Sequence, residues 1–167
     1  FRNAKNDGFG VMTYTDGYRY EGQWVEGKRS GRGVAFYPKG PANPEGPITY
    51  VGPFAESAKH GKGVLIDKNS AVFFVEHKRD EYFSNRPSVT GAFPELRASF
   101  NSLPLDDRKI VQSSLKAKGL YSSGIDGAWG RNTMVGVFGY AAANDLRLDL
   151  FTEAAALEVL EAIIAAQ

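Results

Sequence analysis

The stretch YEGQWVEGKRSGRG, Tyr20 to Gly33, sets two large aromatics and four glycines in one short run without an obvious catalytic group. Tyr20, Gly22 and Trp24 stand at i, i+2 and i+4 and therefore share one face of a strand, as do Gly31, Gly33, Ala35 and Tyr37 in the next. The polar, glycine-bearing VEGKRSG between them is suited to a hairpin connection. Glycines facing aromatic rings give the rings room to lie flat across the neighbouring strand. The unit is thus predicted to be a β-hairpin.

The unit repeats. Tyr20, Gly22, Trp24, Gly31 and Gly33 align with Tyr50, Gly52, Phe54, Gly61 and Gly63 at a constant separation of 30. GFGVMTYTDG (Gly8–Gly17) aligns with GRGVAFYPKG (Gly31–Gly40) at a separation of 23, and the difference of 7 is the length of PANPEGP (Pro41–Pro47). That Pro/Gly-rich stretch reads as a loop inserted between units of a 23-residue period. Counting 23 onward from Tyr50 reaches Phe73 in AVFFVEHKRDEYF, where the Gly and Trp positions have become Val75 and His77. This degenerate strand is expected to cap the array.

YEGQWVEGKRSGRGVAFYPKG resembles a MORN repeat, whose pattern is Tyr-x-Gly-x-Trp, then Gly-Lys-x-x-Gly-x-Gly, an aromatic and a terminal Gly. The second unit is complete, the first is a second half, and the third carries Phe54 for Trp and SAKHG for GKxxG. Because Phe1 enters in mid-repeat, the array is expected to continue upstream. An unpaired edge there would invite self-association or a covering domain.

Ser84 to Pro104 carries three prolines without sustained periodicity and reads as a linker, with Phe93, Leu96 and Phe100 available to pin it. From Leu105 the period lengthens to that of helices. DDRKIVQSSLKAKG places Val111 and Leu115 on one face, Asp106 and Asp107 at the start and Gly119 at the end. Further helices are expected over Asn132–Asn144 and from the N-cap Thr152, with Leu157, Leu160 and Ile164 on one stripe. The expected class is α+β in two domains: an antiparallel hairpin-repeat sheet over residues 1–83, a linker over 84–104 and a three-helix bundle over 105–167.

The helical part resembles the small peptidoglycan-binding-like domain that accompanies many cell-wall hydrolases. The matched residues are Val111, Gln112, Leu115, Gly119 and Tyr121, then Ile125-Asp126-Gly127-Ala128-Trp129-Gly130, and Thr133, Val137, Tyr140 and Leu146. The family commonly has Leu at Lys118, Ala at Gly136 and Gln at Ala141. The resemblance implies glycan contact by Tyr121, Asp126, Trp129, Asn132 and Thr133, and a bacterial cell-envelope or periplasmic setting. Read from the residues alone, Asp126-Gly127 is a turn and Trp129 is core, whereas Tyr121 and Asn132 are expected on the surface.

Charge and composition exclude several classes. The formal net charge is +1, and residues 1–83 hold 12 basic against 10 acidic side chains, so no general affinity for nucleic acid is expected. With no cysteine, disulfides and thiolate metal sites are excluded. His60 and His77 have no companion at metal-ligand spacing, no Gly-x-Ser-x-Gly elbow is present, and Asp106-Asp107 is explained by its helix start, so neither catalysis nor a cofactor is expected. Lys28, Arg29 and Arg32, with Lys59 and Lys62 at the equivalent place, would form one basic rim, a candidate for anionic lipid. The ordinary reading of these charges is solvated turns shared with Glu26 and Glu56. Two functions follow: a non-catalytic module holding peptidoglycan with the array as spacer or dock, or an interaction portion of a larger enzyme without glycan affinity.

Overall fold

The structure is a computed structural model that describes residues 6–84 and 93–167. The chain divides into two compact units, Phe1–Pro87 and Ser88–Gln167. Residues 85–92, the first part of the expected linker, lie outside the described residues.

The first unit is an antiparallel sheet with strands β1 (Gly8–Thr13), β2 (Arg19–Val25), β3 (Lys28–Tyr37), β4 (Ile48–Ala55), β5 (Ala58–Lys59), β6 (Gly61–Ile66), β7 (Val72–Lys78) and β8 (Glu81–Ser84). Neighbours in sequence are neighbours in the sheet, with the two-residue β5 pairing only β4. The connections are tighter than the sequence suggested. Glu26-Gly27, Glu56-Ser57 and Arg79-Asp80 each place two successive residues at positive φ, the backbone of a two-residue hairpin turn whose twist matches its strands. Lys28 to Ser30, expected in the connection, is therefore strand. β7 is also not the final strand, because β8 pairs with it from Glu76 to Lys78.

One face of the sheet carries a continuous row of rings. Tyr20 and Tyr50 are fully buried, and the ring centroids run Trp24 to Tyr20 at 5.2 Å, Tyr20 to Phe54 at 5.0 Å, Phe54 to Tyr50 at 5.3 Å and Tyr50 to His77 at 5.5 Å, each pair edge to face. This is the favourable geometry for aromatic quadrupoles. The glycines make it fit: Gly33 pairs with Gly22, and a Cβ on Gly33 would lie 2.5 Å from the Tyr20 ring. Each tyrosine hydroxyl then donates to the carbonyl three residues on, Tyr20 to Gln23 at 3.0 Å and Tyr50 to Pro53 at 3.1 Å.

His77, which stands where a repeat carries Trp, thus completes the row as a buried imidazole. Burial pushes its pKa down, helped by the Lys59 charge and opposed by Asp80. A base with a depressed folded pKa binds fewer protons folded than unfolded, so stability is full above the unfolded value of about 6.5 and declines as the pH falls below it. We expect the urea midpoint of this unit to drop between pH 7.5 and 5.5, and to drop less in His77→Phe. Equal drops in both proteins would refute the assignment.

The second unit has four helices, α1 (Pro94–Ser102), α2 (Leu105–Ala117), α3 (Arg131–Ala143) and α4 (Glu153–Ala165), rather than three. Residues 94–102 of the expected linker form α1, with Phe93, Leu96 and Phe100 fully buried. Pro94 does not interrupt it. At the first helical position a proline loses no hydrogen bond and has a suitable φ. Gly119 ends α2 as expected: its N–H reaches the Lys116 carbonyl and that of Leu120 the Leu115 carbonyl, with φ +73° at the glycine. The Thr152 hydroxyl accepts from the Ala155 N–H at 3.2 Å and caps α4. The buried residues of α4 are Ala155, Ala156, Val159, Leu160 and Ile163, so Leu160 of the expected stripe is buried while Leu157 and Ile164 are half-buried.

Gly136 and Lys118 both have local structural reasons. A Cβ on Gly136 would stand 2.8 Å from Leu115 Cδ1 and 2.9 Å from the Leu120 carbonyl oxygen, so α3 approaches too closely for alanine. Gly136→Ala is expected to lower stability by about 1–3 kcal/mol through overpacking, measurable by urea unfolding; an unchanged midpoint would contradict it. Lys118 lays its ammonium 5.8 Å from the centroid of the Tyr140 ring, a polar substitute for an apolar contact.

Candidate functional site

The basic residues do not form one rim. Lys28 pairs with Glu56 at an exposed position, Arg32 presents its backbone N–H to Gln23 Oε1 at 2.9 Å, and Lys62 sits opposite Glu76 across β6 and β7. Arg29 and Lys59 instead lie over the aromatic row, because they share the strand face of Gly31 and Gly33 or its repeat equivalent. Arg29 Cζ lies 5.3 Å from the Tyr18 centroid, 5.8 Å from Tyr20 and 5.3 Å from Phe54. Lys59 Nζ lies 5.2 Å from Tyr37 and 5.8 Å from Tyr50. Both cations are therefore held against π faces, where partial loss of water strengthens the attraction.

These side chains line a cleft of about 480 Å³ together with Tyr14, Tyr18, Tyr37 and Asp80. Tyr14 and Tyr18 flank the turn between β1 and β2, which Gly17 closes at φ +86°, and their rings stand 5.2 Å apart. Tyr18 meets Tyr37 at 5.0 Å. Arg29 is fixed from both sides: its guanidinium donates to the Tyr18 hydroxyl and to the Ser57 carbonyl, and its backbone N–H to Ser57 Oγ at 3.2 Å. Asp80 comes from the last turn, where its carboxylate accepts the Lys59 N–H at 2.8 Å and its own N–H returns to the Lys59 carbonyl at 2.9 Å.

Burial sets the electrostatics. It pushes the Tyr18 and Tyr37 hydroxyls well above their usual range, so both are neutral donors at any physiological pH. It pushes Lys59 down, with Asp80 opposing and Arg29 reinforcing that shift. Two cations thus share one partly dried space with one carboxylate.

The residues expected to touch glycan fall into three separate roles. Tyr121, expected on the surface, is only 7% exposed, because its hydroxyl is satisfied by the Gly124 carbonyl at 2.7 Å. It shares a small cleft of about 150 Å³ with Asn132, which is exposed and donates to Ser123 Oγ. Asp126 and Thr133 belong to a network around Gln112. The Gln112 carbonyl oxygen accepts from Asp126 N at 2.9 Å and Gly127 N at 2.8 Å, while its amide donates to Asp126 Oδ1 and the Ala128 carbonyl, both at 3.0 Å. Asp126 also accepts the Ala128 N–H at 2.8 Å, the first cause of its lowered pKa. Thr133 Oγ1 is 3.4 Å from the Ala128 carbonyl. The turn reading of Asp126-Gly127 describes this geometry, with Gly127 at φ +71°. Trp129 is half-buried, with its ring 5.3 Å from Phe100.

Tyr14, Tyr18, Tyr37 and Asp80 were absent from the sequence-based candidates. Their signal was faint: Tyr14 and Tyr37 occupy the same place in the 23-residue alignment, the aromatic near the end of each repeat. Among the described residues no group of three or more His, Asp or Glu side chains is placed to hold a metal ion, and no helix is long and apolar enough to cross a membrane.

The family model for the MORN repeat matches residues 1–17, 20–41 and 50–72 and reaches no part of the helical unit. Among curated proteins no sequence matches the chain. Residues 1–72 therefore carry three MORN repeats.

Proposed function

We propose that the chain is a non-catalytic binding module that holds a segment of another protein in the cleft of its repeat sheet. MORN repeats suggest a membrane- or protein-binding module. The observation that carries the protein reading is the placement of Arg29 and Lys59. Both are sunk onto aromatic rings inside a cleft, where a flat headgroup layer reaches them poorly, whereas an inserted side chain reaches them well. Tyrosine and arginine in a partly dried recess are also the residue types that dominate protein-binding hot spots. The groups that could reach a membrane plane are weaker candidates, since Lys28 is already paired with Glu56.

The test is selection of a random peptide library on the immobilised full chain. Enriched peptides are expected to lose binding to Tyr18→Ala and Tyr37→Ala chains that keep the unfolding midpoint of a folded repeat unit. Enrichment that both variants retain, or no enrichment at all, overturns the reading.

A second reading, sacculus binding by the helical unit in a bacterial envelope, is supported by the small cleft between Tyr121 and Asn132. Co-sedimentation with purified sacculi that Asn132→Ala abolishes would favour it, and no co-sedimentation above a globular control would end it. Asp126 and Thr133 are poor tests of that reading, because their substitution disturbs the Gln112 network first.

A further inference from the structure

We infer that the cleft of the repeat sheet is a carboxylate receptor, built to take one aspartate or glutamate side chain of an acidic peptide between Arg29 and Lys59. The inference rests on the reading of the cleft as a protein-binding site and names the chemistry of what enters it.

The charge of the cleft argues for a monoanion. Arg29 and Lys59 bring two positive charges and Asp80 one negative charge, and the remaining lining residues are neutral tyrosines. One positive charge is left in surplus, in a recess where burial already penalises the Lys59 ammonium and Arg29 adds to the penalty. Asp80 outweighs the Arg29 repulsion at Lys59 but not the cost of burial, and the cleft as a whole keeps its surplus positive charge. A single carboxylate removes the surplus. A phosphate monoester, carrying close to two negative charges at neutral pH, would overshoot it and stand against Asp80.

The donors suit the same group. Arg29 spends one N–H on the Tyr18 hydroxyl and one on the Ser57 carbonyl, and a guanidinium has five. Those two bonds, with a further one to the Tyr37 hydroxyl, fix the plane of the fork, and two N–H groups remain for an entering carboxylate. A fixed guanidinium plane recognises a carboxylate by two parallel bonds. The Lys59 ammonium, held over Tyr37 and Tyr50, adds a movable donor from the opposite wall. The rings of Tyr14, Tyr18 and Tyr37 offer an apolar wall to the methylene stem of the entering residue.

Fluorescein-labelled peptide pools with a fixed central residue and randomised flanks test the inference by polarisation. A glutamate-centred pool is expected to bind the full chain about tenfold more tightly than a glutamine-centred pool, as a charge-assisted bidentate bond requires. Lys59→Gln should erase that preference. Asp80→Asn keeps the oxygen that accepts the Lys59 N–H, doubles the surplus charge, and should move the preference toward a phosphoserine-centred pool. Arg29→Gln should also erase the preference, and Lys59→Gln covers the case in which it unfolds.

Several outcomes overturn the inference. If glutamate and glutamine pools bind equally and Tyr18→Ala still abolishes both, the protein-binding reading stands and the carboxylate receptor falls. If no pool binds the folded chain, both fall. Tighter binding of phosphoserine than glutamate by the unsubstituted chain would replace carboxylate by phosphate. Sedimentation with phosphatidylserine-containing vesicles that Lys59→Gln abolishes would replace the peptide by a membrane.

Discussion

Tyr20→Ala lowers the stability of the repeat unit by about 3–5 kcal/mol, the usual loss when a large buried ring is truncated. The loss is expected at the top of that range. The Tyr20 side chain is completely buried, touches Trp24 and Phe54 edge to face, and fills the space left bare by Gly22 and Gly33. Alanine leaves a void bounded by backbone on one side, which cannot collapse to fill it. Tyr20→Phe keeps the rings in contact and loses only the hydroxyl bond to Gln23, so about 1 kcal/mol is expected. The two tryptophans make the measurement clean, because Trp24 lies in the repeat unit and Trp129 in the helical unit. Urea unfolding followed by fluorescence in a Trp129→Phe background reports the repeat unit alone. A loss below about 1 kcal/mol for Tyr20→Ala would mean that the aromatic row is not the core of the sheet.

Gln112→Leu is the corresponding experiment for the helical unit. Leucine has similar bulk and is apolar, and the position is fully buried, so a packing argument alone predicts little change. The hydrogen bonds predict the opposite. Removing the amide leaves the N–H groups of Asp126 and Gly127 without their partner and the Ala128 carbonyl with only the long bond from Thr133 Oγ1, and the bond at Gly127 is buried. Each orphaned buried group costs about 1–3 kcal/mol; because part of the loop is open to water, a total of roughly 2–4 kcal/mol is expected. Trp129 fluorescence in a Trp24→Phe background measures it. A change under about 1 kcal/mol would show that the loop is held by its own turn rather than by Gln112.

Those two residues also mark what sequence reasoning reaches. Tyr20 was legible as a scaffold residue, because its partners Gly22 and Gly33 recur at fixed spacing and the strand period places all three on one face. The α+β class and the repeat sheet followed from the same spacing. Gln112 was visible only as part of a resemblance, since its partners lie 14 to 21 residues on and no local pattern predicts which way a buried amide points. Helix α1 escaped because three prolines in the segment suggested a broken chain, while Pro94 sits at the one helical position where proline is at ease. The cleft escaped for a topological reason. Its lining comes from the first turn, β3, β5 and the last turn, brought together only by strand register. Arg29 and Lys59 were noticed as a pair of equivalent cations, but not that their strand face aims them at rings.

The seven-residue insertion Pro41–Pro47 changes the spacing between repeats from 23 to 30 residues, yet Tyr20 meets Phe54 at 5.0 Å, as close as the partners within a repeat at 5.2 and 5.3 Å. The extra chain leaves at the end of β3 and returns at the start of β4, so it lengthens a loop and shifts no register. Such an array tolerates growth in two independent currencies of sequence. Residues added at the strand ends alter the outline of the molecule, and whole repeats added between them extend its row of rings by one tyrosine and one partner. A lineage of such chains can therefore vary its loops freely while the interior is inherited as a fixed stacking rule.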